Sequence, residues 1–424
     1  MSLKLMAAAI VSYCALLAAP AAAQPAVALD EVLRRVVDAH PDLRAFRHRS
    51  EALTAEAETA GLRPPMVVAT ELENFAGTGD LSGLDRAELT LGLESVLERG
   101  GKREARRAIA SGQLDALSSQ RSAVELDLLA EAARRYLDLV AAQARHQIAS
   151  EEVELRARTV GAAERRMRAG AAPEAVLLAA EAMRARAELE AARAAAESEA
   201  AWRRLAVMWG ETAGGPAPRA SASILELPRV PSLVELQRLV ARNPQLAQFA
   251  GAARVAEARL RLAEASRSTD VEWQLGLRHL REEDDWGLVA GLSVPLGSAR
   301  RADPSIRAAR AELERLSVER ESTALLLEAT LVQAHGQLGA ATLEAGRIGD
   351  DWLPRLQRAE AAAERTYRAG ALSYQEWAQL QSEVTAARRQ QLAAALEAHR
   401  ALIEIQRLTG EPFVASPART EVSP

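Results

Sequence analysis

Apolar and polar residues repeat along this chain with two periods, and the periods change in the same order twice. The stretch LDEVLRRVVDAHPDLRAFRHRSEALTAEAETAG, Leu29 to Gly61, spaces its apolar residues helically and is broken by Pro41, which suits the first residue of a second helix. After Pro64-Pro65 the period becomes two. Val68, Thr70, Leu72 and Asn74 share a face against Val67, Ala69, Glu71 and Glu73, a mixed signal, whereas Leu89, Leu91 and Leu93 alternate cleanly with Glu88, Thr90, Gly92 and Glu94. In the second half Val271, Trp273, Leu275 and Leu277 alternate with Glu272, Gln274, Gly276 and Arg278, and Leu288, Ala290, Leu292 and Val294 with Val289, Gly291 and Ser293. Segments of about ten residues with one apolar and one polar face have the pattern of a transmembrane β-strand between lipid and water. A soluble hairpin lying on a helical core has the same pattern.

Long helices follow each pair of strands. From Gly100-Gly101-Lys102-Arg103 no proline occurs until Pro173, and Leu114, Leu117, Val124, Leu128, Leu137, Val140, Ala144 and Ile148 form a stripe at near-heptad spacing. At about 1.5 Å per residue this rod spans on the order of 100 Å, more than a compact core of this size can hold. In the second half Asp303-Pro304 suggests a helix start, N-cap then first-turn proline, and Pro354 beside Asp350 and Asp351 predicts a break or kink further on. The far turns are legible too. In RAGAAPE, Gly170 suits a left-handed cap, Pro173 a first-turn proline and Glu174 a first-turn acid; in RAGALSYQE, Gly370 takes the same part and Ser373 with Glu376 forms a capping box.

These parallels extend to residues. Pro41, Leu43 and Phe46 recur as Pro244, Leu246 and Phe249 at an offset of 203, while Gly170 and Glu211 recur as Gly370 and Glu411 at an offset of 200. So long a period indicates tandem duplication of one large unit. The expected division is residues 24–212 and 233–411 as the two repeats, with hairpins at 66–97 and 271–296, a linker at 213–232 and a tail at 412–424.

Composition agrees with long helices: 49% of the 424 residues are hydrophobic and only 3% aromatic, with Ala, Glu, Arg and Leu dominant. The net charge of −5 is small and both signs are interspersed, which argues against a nucleic-acid partner. Lys4, the apolar run Leu5 to Leu17 and the small residues Ala21-Ala22-Ala23 read as a signal peptide over residues 1–23. Cys14, the only cysteine, lies inside it, so the mature chain has no thiol chemistry; acylation at Cys14 is disfavoured by Tyr13 beside it.

Four strands do not close a membrane barrel, and lipid does not tolerate open sheet edges. The barrel must then be shared. Two chains give eight strands, whose lumen side chains fill, whereas three give twelve and leave a pore that suits Glu272 and Gln274. The expected fold is mainly α with a transmembrane β-barrel: a trimeric twelve-stranded barrel, four strands per chain, continued by a long periplasmic helical barrel.

The paired RAG turns, the hairpins and the Gly100 to Arg103 turn resemble the TolC family of outer-membrane efflux proteins over the whole mature chain. The segment ELENFAGTGDLSGLDRAELTLGLESVLERGGKR, Glu71 to Arg103, is most similar to the branch serving cobalt, zinc and cadmium efflux. The resemblance implies a homotrimeric conduit in outer-membrane lipid, joined through a periplasmic adaptor to an inner-membrane pump of the resistance-nodulation-division class. It implies adaptor docking at the helical tips, here Arg168, Gly170, Pro173, Arg368, Gly370 and Ser373. Relatives often close the periplasmic mouth with acids six and nine positions after the second tip glycine; here those are Glu376 and Gln379, so only the first acid is kept. The first copy has Val176 and Ala179 there. For Glu376 the capping box is the plain alternative to a gate, and the two are compatible.

No catalytic or cofactor chemistry stands out. His40, His48, His146, His279, His335 and His399 are scattered without a metal-ligand spacing, and no phosphate-binding glycine loop is present. The expectation is a passive channel without cofactor or metal site, its cargo either divalent cations or, in other branches, drugs or secreted proteins. A soluble periplasmic adaptor is the competing class, and it lacks here the lipoyl-like segment such a protein needs between its arms.

Overall fold

The computed structural model describes residues 26–212 and 217–413. The expected signal peptide with Cys14, and residues 414–424 of the tail, lie outside the described residues. Strand β1 (Ala26–Val27) leads into α1 (Leu29–Ala39) and α2 (Pro41–Ala60); strands β2 (Val67–Glu73) and β3 (Glu88–Leu97) follow, then α3 (Lys102–Arg168) and its return helix α4 (Glu174–Ala206). A short strand β4 (Arg219–Ala220) pairs in parallel with β1. The order then recurs as α5 (Leu233–Val240), α6 (Pro244–Ala265), β5 (Val271–Leu280), β6 (Asp285–Ser293), α7 (Ser298–Arg347), α8 (Leu353–Arg368) and α9 (Tyr374–Thr409). Pro41 and Pro244 each open a helix, as expected.

The four longer strands make one antiparallel sheet in the order β2-β3-β5-β6, so the two hairpins join through β3 and β5. Below it the helices lie in the order α4, α3, α9 and then α7 with α8. The buried stripes on these rods are alanine heptads: Ala116, which packs against Gly251 of α6, then Ala123 and Ala130 before Leu137 on α3, and Ala180, Ala187, Ala194 and Ala201 on α4. A methyl at each contact lets two backbones approach closely over many turns; of the stripe read from the sequence, Leu117, Leu137 and Val140 are buried and Leu114, Val124, Leu128, Ala144 and Ile148 half-buried.

Two expectations need correction. Helix α7 starts at Ser298 rather than at Asp303-Pro304, because Gly297 turns left-handed (φ 85°) as Gly101 does before α3 (φ 77°). Pro304 then falls in the second turn, where its missing N–H leaves only the carbonyl of exposed Arg300 without a helical donor. Pro173 is the N-cap of α4, one residue ahead of the first turn. Pro354 kinks the rod without ending it: residues Ile348–Trp352 form a π turn and the helix resumes as α8.

The region expected to be a linker is packed. Ile224 is buried in the main core with Tyr136 and Leu205, and the ring of buried His399 hydrogen-bonds its carbonyl at 3.1 Å. Burial pushes the His399 pKa below its ordinary value, which keeps the ring neutral. Among the described residues no helix is long and apolar enough to cross a membrane.

Candidate functional site: a two-faced sheet and the helical tips

Register assembles the alternating strands into two continuous faces. Leu91 lies opposite Leu277, which lies opposite Leu288; Leu93 opposite Leu275, then Ala290; Trp273 opposite Leu292. Val68 and Leu72 join this face from β2, which resolves the mixed signal of that strand. Most of it is exposed, with Leu91 and Leu275 each 55% accessible and Leu288 80%, while Leu93 and Trp273 are half-buried. So large a bare apolar surface needs an apolar medium or a partner.

The opposite face carries Glu71, Glu73, Glu88, Glu94, Glu272 and Gln274 with Thr90 and Arg278. Arg278 bridges Glu73 and Glu88, each at 2.8 Å, and donates to Thr90 at 2.9 Å. With Asp285 of β6 in line with Glu88, six carboxylates thus share this face with one guanidinium. Beside Glu94, Glu272 and Gln274 an open cavity of about 440 Å³ lies against this face. The unpaired edges of β2 and β6 bound the sheet, and α4 and α7 stand at the two ends of the helical order.

The strand-to-helix turn is pinned across the two halves. Gly100 and Gly101 are both left-handed (φ 78° and 77°), and the Asp270 carboxylate accepts from the Arg99 N–H at 3.0 Å and from Lys102 at 2.7 Å. Burial alone would raise the Asp270 pKa, but these donors bring it below its ordinary value. Arg106 reaches back to Glu98 with both terminal nitrogens, 2.5 and 2.8 Å, while half-buried Arg103 lies 3.6 Å from Glu104.

Both tips end α-helices with the same pair of bonds. Gly170 and Ala171 donate to Met167 and Arg166, and Gly370 and Ala371 donate to Tyr367 and Thr366, with both glycines left-handed. Arg168 and Arg368 are tied to Glu164 and Glu364 one turn back. The capping box at Ser373 forms in full. Glu376 spends only Oε2 on it, accepting from the Ser373 N–H at 3.0 Å and hydroxyl at 2.6 Å, which holds its pKa below the ordinary value. Gln379 is exposed on the same helix, three residues on.

A buried polar lattice beneath the tips escapes sequence reasoning. Arg156, 2% exposed, donates to Gln381 and Ser382 at 3.0 Å each, and Gln381 also exchanges bonds with Thr159. Nearby Tyr367 stacks on Trp377, the rings 4.9 Å apart, and Arg166 lies over Tyr367 at 4.8 Å. These contacts tie α3 to α8 and α9. An arginine amid a charged helix gives no periodic sign of burial; the signal available was two aromatics flanking Gly370 in a chain poor in them. Among the described residues no group of three or more His, Cys, Asp or Glu is placed to hold a metal ion.

Residues 32–211 match the outer membrane efflux protein family. The cobalt-zinc-cadmium resistance protein CzcC of Cupriavidus metallidurans is 25% identical over 314 residues, covering 74% of this chain and 75% of that protein. Among solved structures, CusC superposes with a TM-score of 0.75 at 17% identity, over 91% of this chain and 92% of its own. The outer membrane channel MtrE of Neisseria gonorrhoeae, in its open state, gives 0.71 at 17% identity over 90% and 88%. VceC of Vibrio cholerae gives 0.71 at 16% identity over 91% and 97%.

Proposed function

We propose that this chain, which carries the outer membrane efflux protein family's sequence over residues 32–211 and its channels' fold over 91% of its length, is the exit duct of a three-part efflux system for divalent cations. It resides in the outer membrane and extends into the periplasm. The observation that carries the reading is the two-faced sheet standing on helices of up to 67 residues, with open edges on both layers. The sheet ends in the open edges β2 and β6 and the helical order ends in α4 and α7, so each copy can offer the next a flank in both layers. Three copies close twelve strands around the acidic face and leave the leucine face to lipid. The mature protein is expected to fractionate with the outer membrane as a trimer; a soluble periplasmic monomer would overturn the assembly.

Cation cargo is supported by the excess of carboxylates on the polar face, which concentrates cations in a narrow lumen, and by the similarity to a cobalt-zinc-cadmium resistance protein. A periplasmic adaptor docked at the tips would join the duct to a resistance-nodulation-division pump. Deleting the gene is expected to sensitise the host to zinc, cobalt or cadmium more than to hydrophobic drugs. Sensitisation to drugs alone would assign the channel to drug efflux.

At the periplasmic mouth Glu376 would act as cap and gate together. With Oε2 engaged by Ser373, Oε1 has no partner among the described residues, and three such carboxylates around an axis would favour cations. Glu376→Gln keeps the capping geometry and removes the charge. The variant should assemble normally yet show lower cation selectivity and weaker block by multivalent cations in planar bilayers. Unchanged selectivity would leave Glu376 a helix cap only.

A further inference from the structure

The apolar face of the sheet ends, on the side of the helices, in bare side chains: Leu62, Met66 and Leu296 are exposed, Leu296 at 88%. Immediately past them stand Arg63, Arg99, Arg107, Arg300 and Arg301. All five are exposed, and none is paired with a carboxylate among the described residues. Arg99 follows Leu97 by two positions, on the parity of the apolar face, while Arg63 precedes β2 and Arg300 and Arg301 open α7 just below β6. Elsewhere on the same helices some arginines are tied to acids one turn away, as Arg135 is to Glu131, Arg168 to Glu164 and Arg315 to Glu319, while others such as Arg158, Arg165, Arg310 and Arg320 are exposed without an ion pair among the described residues. What sets the five apart is that they gather at the base of the apolar face. The opposite end of the sheet is net acidic: its β5–β6 turn reads Arg281-Glu282-Glu283-Asp284, with Asp285 opening β6.

Two of these arginines, Arg300 and Arg301, stand in the first turn of α7, where a helix disfavours cations. An unpaired basic row bordering an apolar band matches an anionic membrane surface, in which guanidinium groups meet phosphates while the neighbouring leucines enter the acyl layer. We propose that this row binds the phosphates of anionic glycerophospholipids in the membrane leaflet that faces the helices, fixing how deep the sheet sits. The inference rests on the channel reading above. The acidic turn faces away and takes no part.

The test uses the purified trimer of the full mature chain and native mass spectrometry with added palmitoyl-oleoyl phosphatidylglycerol, the zwitterionic phosphatidylcholine of the same chains, or lipid A. Phosphatidylglycerol should be retained roughly tenfold over phosphatidylcholine, a preference that falls as salt is raised. Replacing all five arginines with Gln should reduce it to less than twofold, replacing them with Lys should preserve most of it, and Arg168→Gln with Arg368→Gln at the tips should leave it intact. An undiminished preference in the Gln variant would overturn the proposal. If that variant fails to assemble, the wild type decides: no preference for phosphatidylglycerol, or tighter retention of lipid A, overturns it equally. Absence of any membrane-inserted trimer would instead refute the channel reading.

Discussion

Leu91→Arg and Leu275→Arg are each expected to destabilise the membrane-inserted state by about 2–4 kcal/mol, while Gln274→Arg is tolerated. Leu275 and Gln274 are sequence neighbours on β5, yet register places them on opposite faces: Leu275 beside Leu93 and Ala290, Gln274 beside Glu94 and Gly291. A guanidinium at Leu91 or Leu275 would enter the leucine band, where it finds hydrocarbon and no acceptor. At position 274 it would stand beside Glu94 and on the same face of β5 as Glu272, in place of an amide that already lives among acids. The yield of outer-membrane trimer for the three variants measures the difference. Equal losses at all three sites would mean that the sheet does not separate lipid from water.

This contrast shows what period-two reading achieves and where it stops. The clean alternation in Glu88 to Glu94 and in Val271 to Arg278 appears in the sheet as Leu91 beside Leu277 and Leu93 beside Leu275. Strand β2 reads as mixed because Val67 and Ala69 sit on the polar face, where the register sets them beside Glu94 and Gly92. Which strands neighbour one another across the two halves is a long-range fact, and no local pattern encodes the β3–β5 pairing.

Helix ends were legible where one residue type has one use, as with Gly170, Gly370, Pro41 and Pro244. They misled where two signals compete. Asp303-Pro304 resembles a cap and first turn, but Gly297 supplies a left-handed reversal earlier and the helix absorbs the proline. The alanine seams escaped for a different reason: hydrophobic periodicity weighs large side chains, whereas close-packed rods bury small ones. The Arg156 lattice was invisible because its partners, Gln381 and Ser382, are distant in sequence on another helix.

At the base of the sheet, Gly100→Ala should be far more damaging than Gly101→Ala, although the two residues are adjacent and share a left-handed backbone. The conformational term is common to both, about 1–2 kcal/mol for an L-residue held there. Surroundings separate them. A Cβ on Gly101 would find only a flexible Glu104 oxygen at 3.8 Å, whereas one on Gly100 would lie 2.5 Å from the Ser268 side chain and 2.8 Å from the Ala265 carbonyl. A backbone oxygen cannot rotate away, so α6 and the β3–α3 turn would have to separate, adding roughly 1–3 kcal/mol of overpacking. The same displacement would pull Asp270 from Lys102 and from the Arg99 N–H, loosening the joint where sheet meets helices. The thermal unfolding temperature of the purified protein in detergent should therefore fall strongly for Gly100→Ala and modestly for Gly101→Ala, and Gly100→Ala should also raise amide exchange at Arg99. If the two variants melt together, close packing against α6 plays no part in the joint, and both glycines serve only to turn the chain.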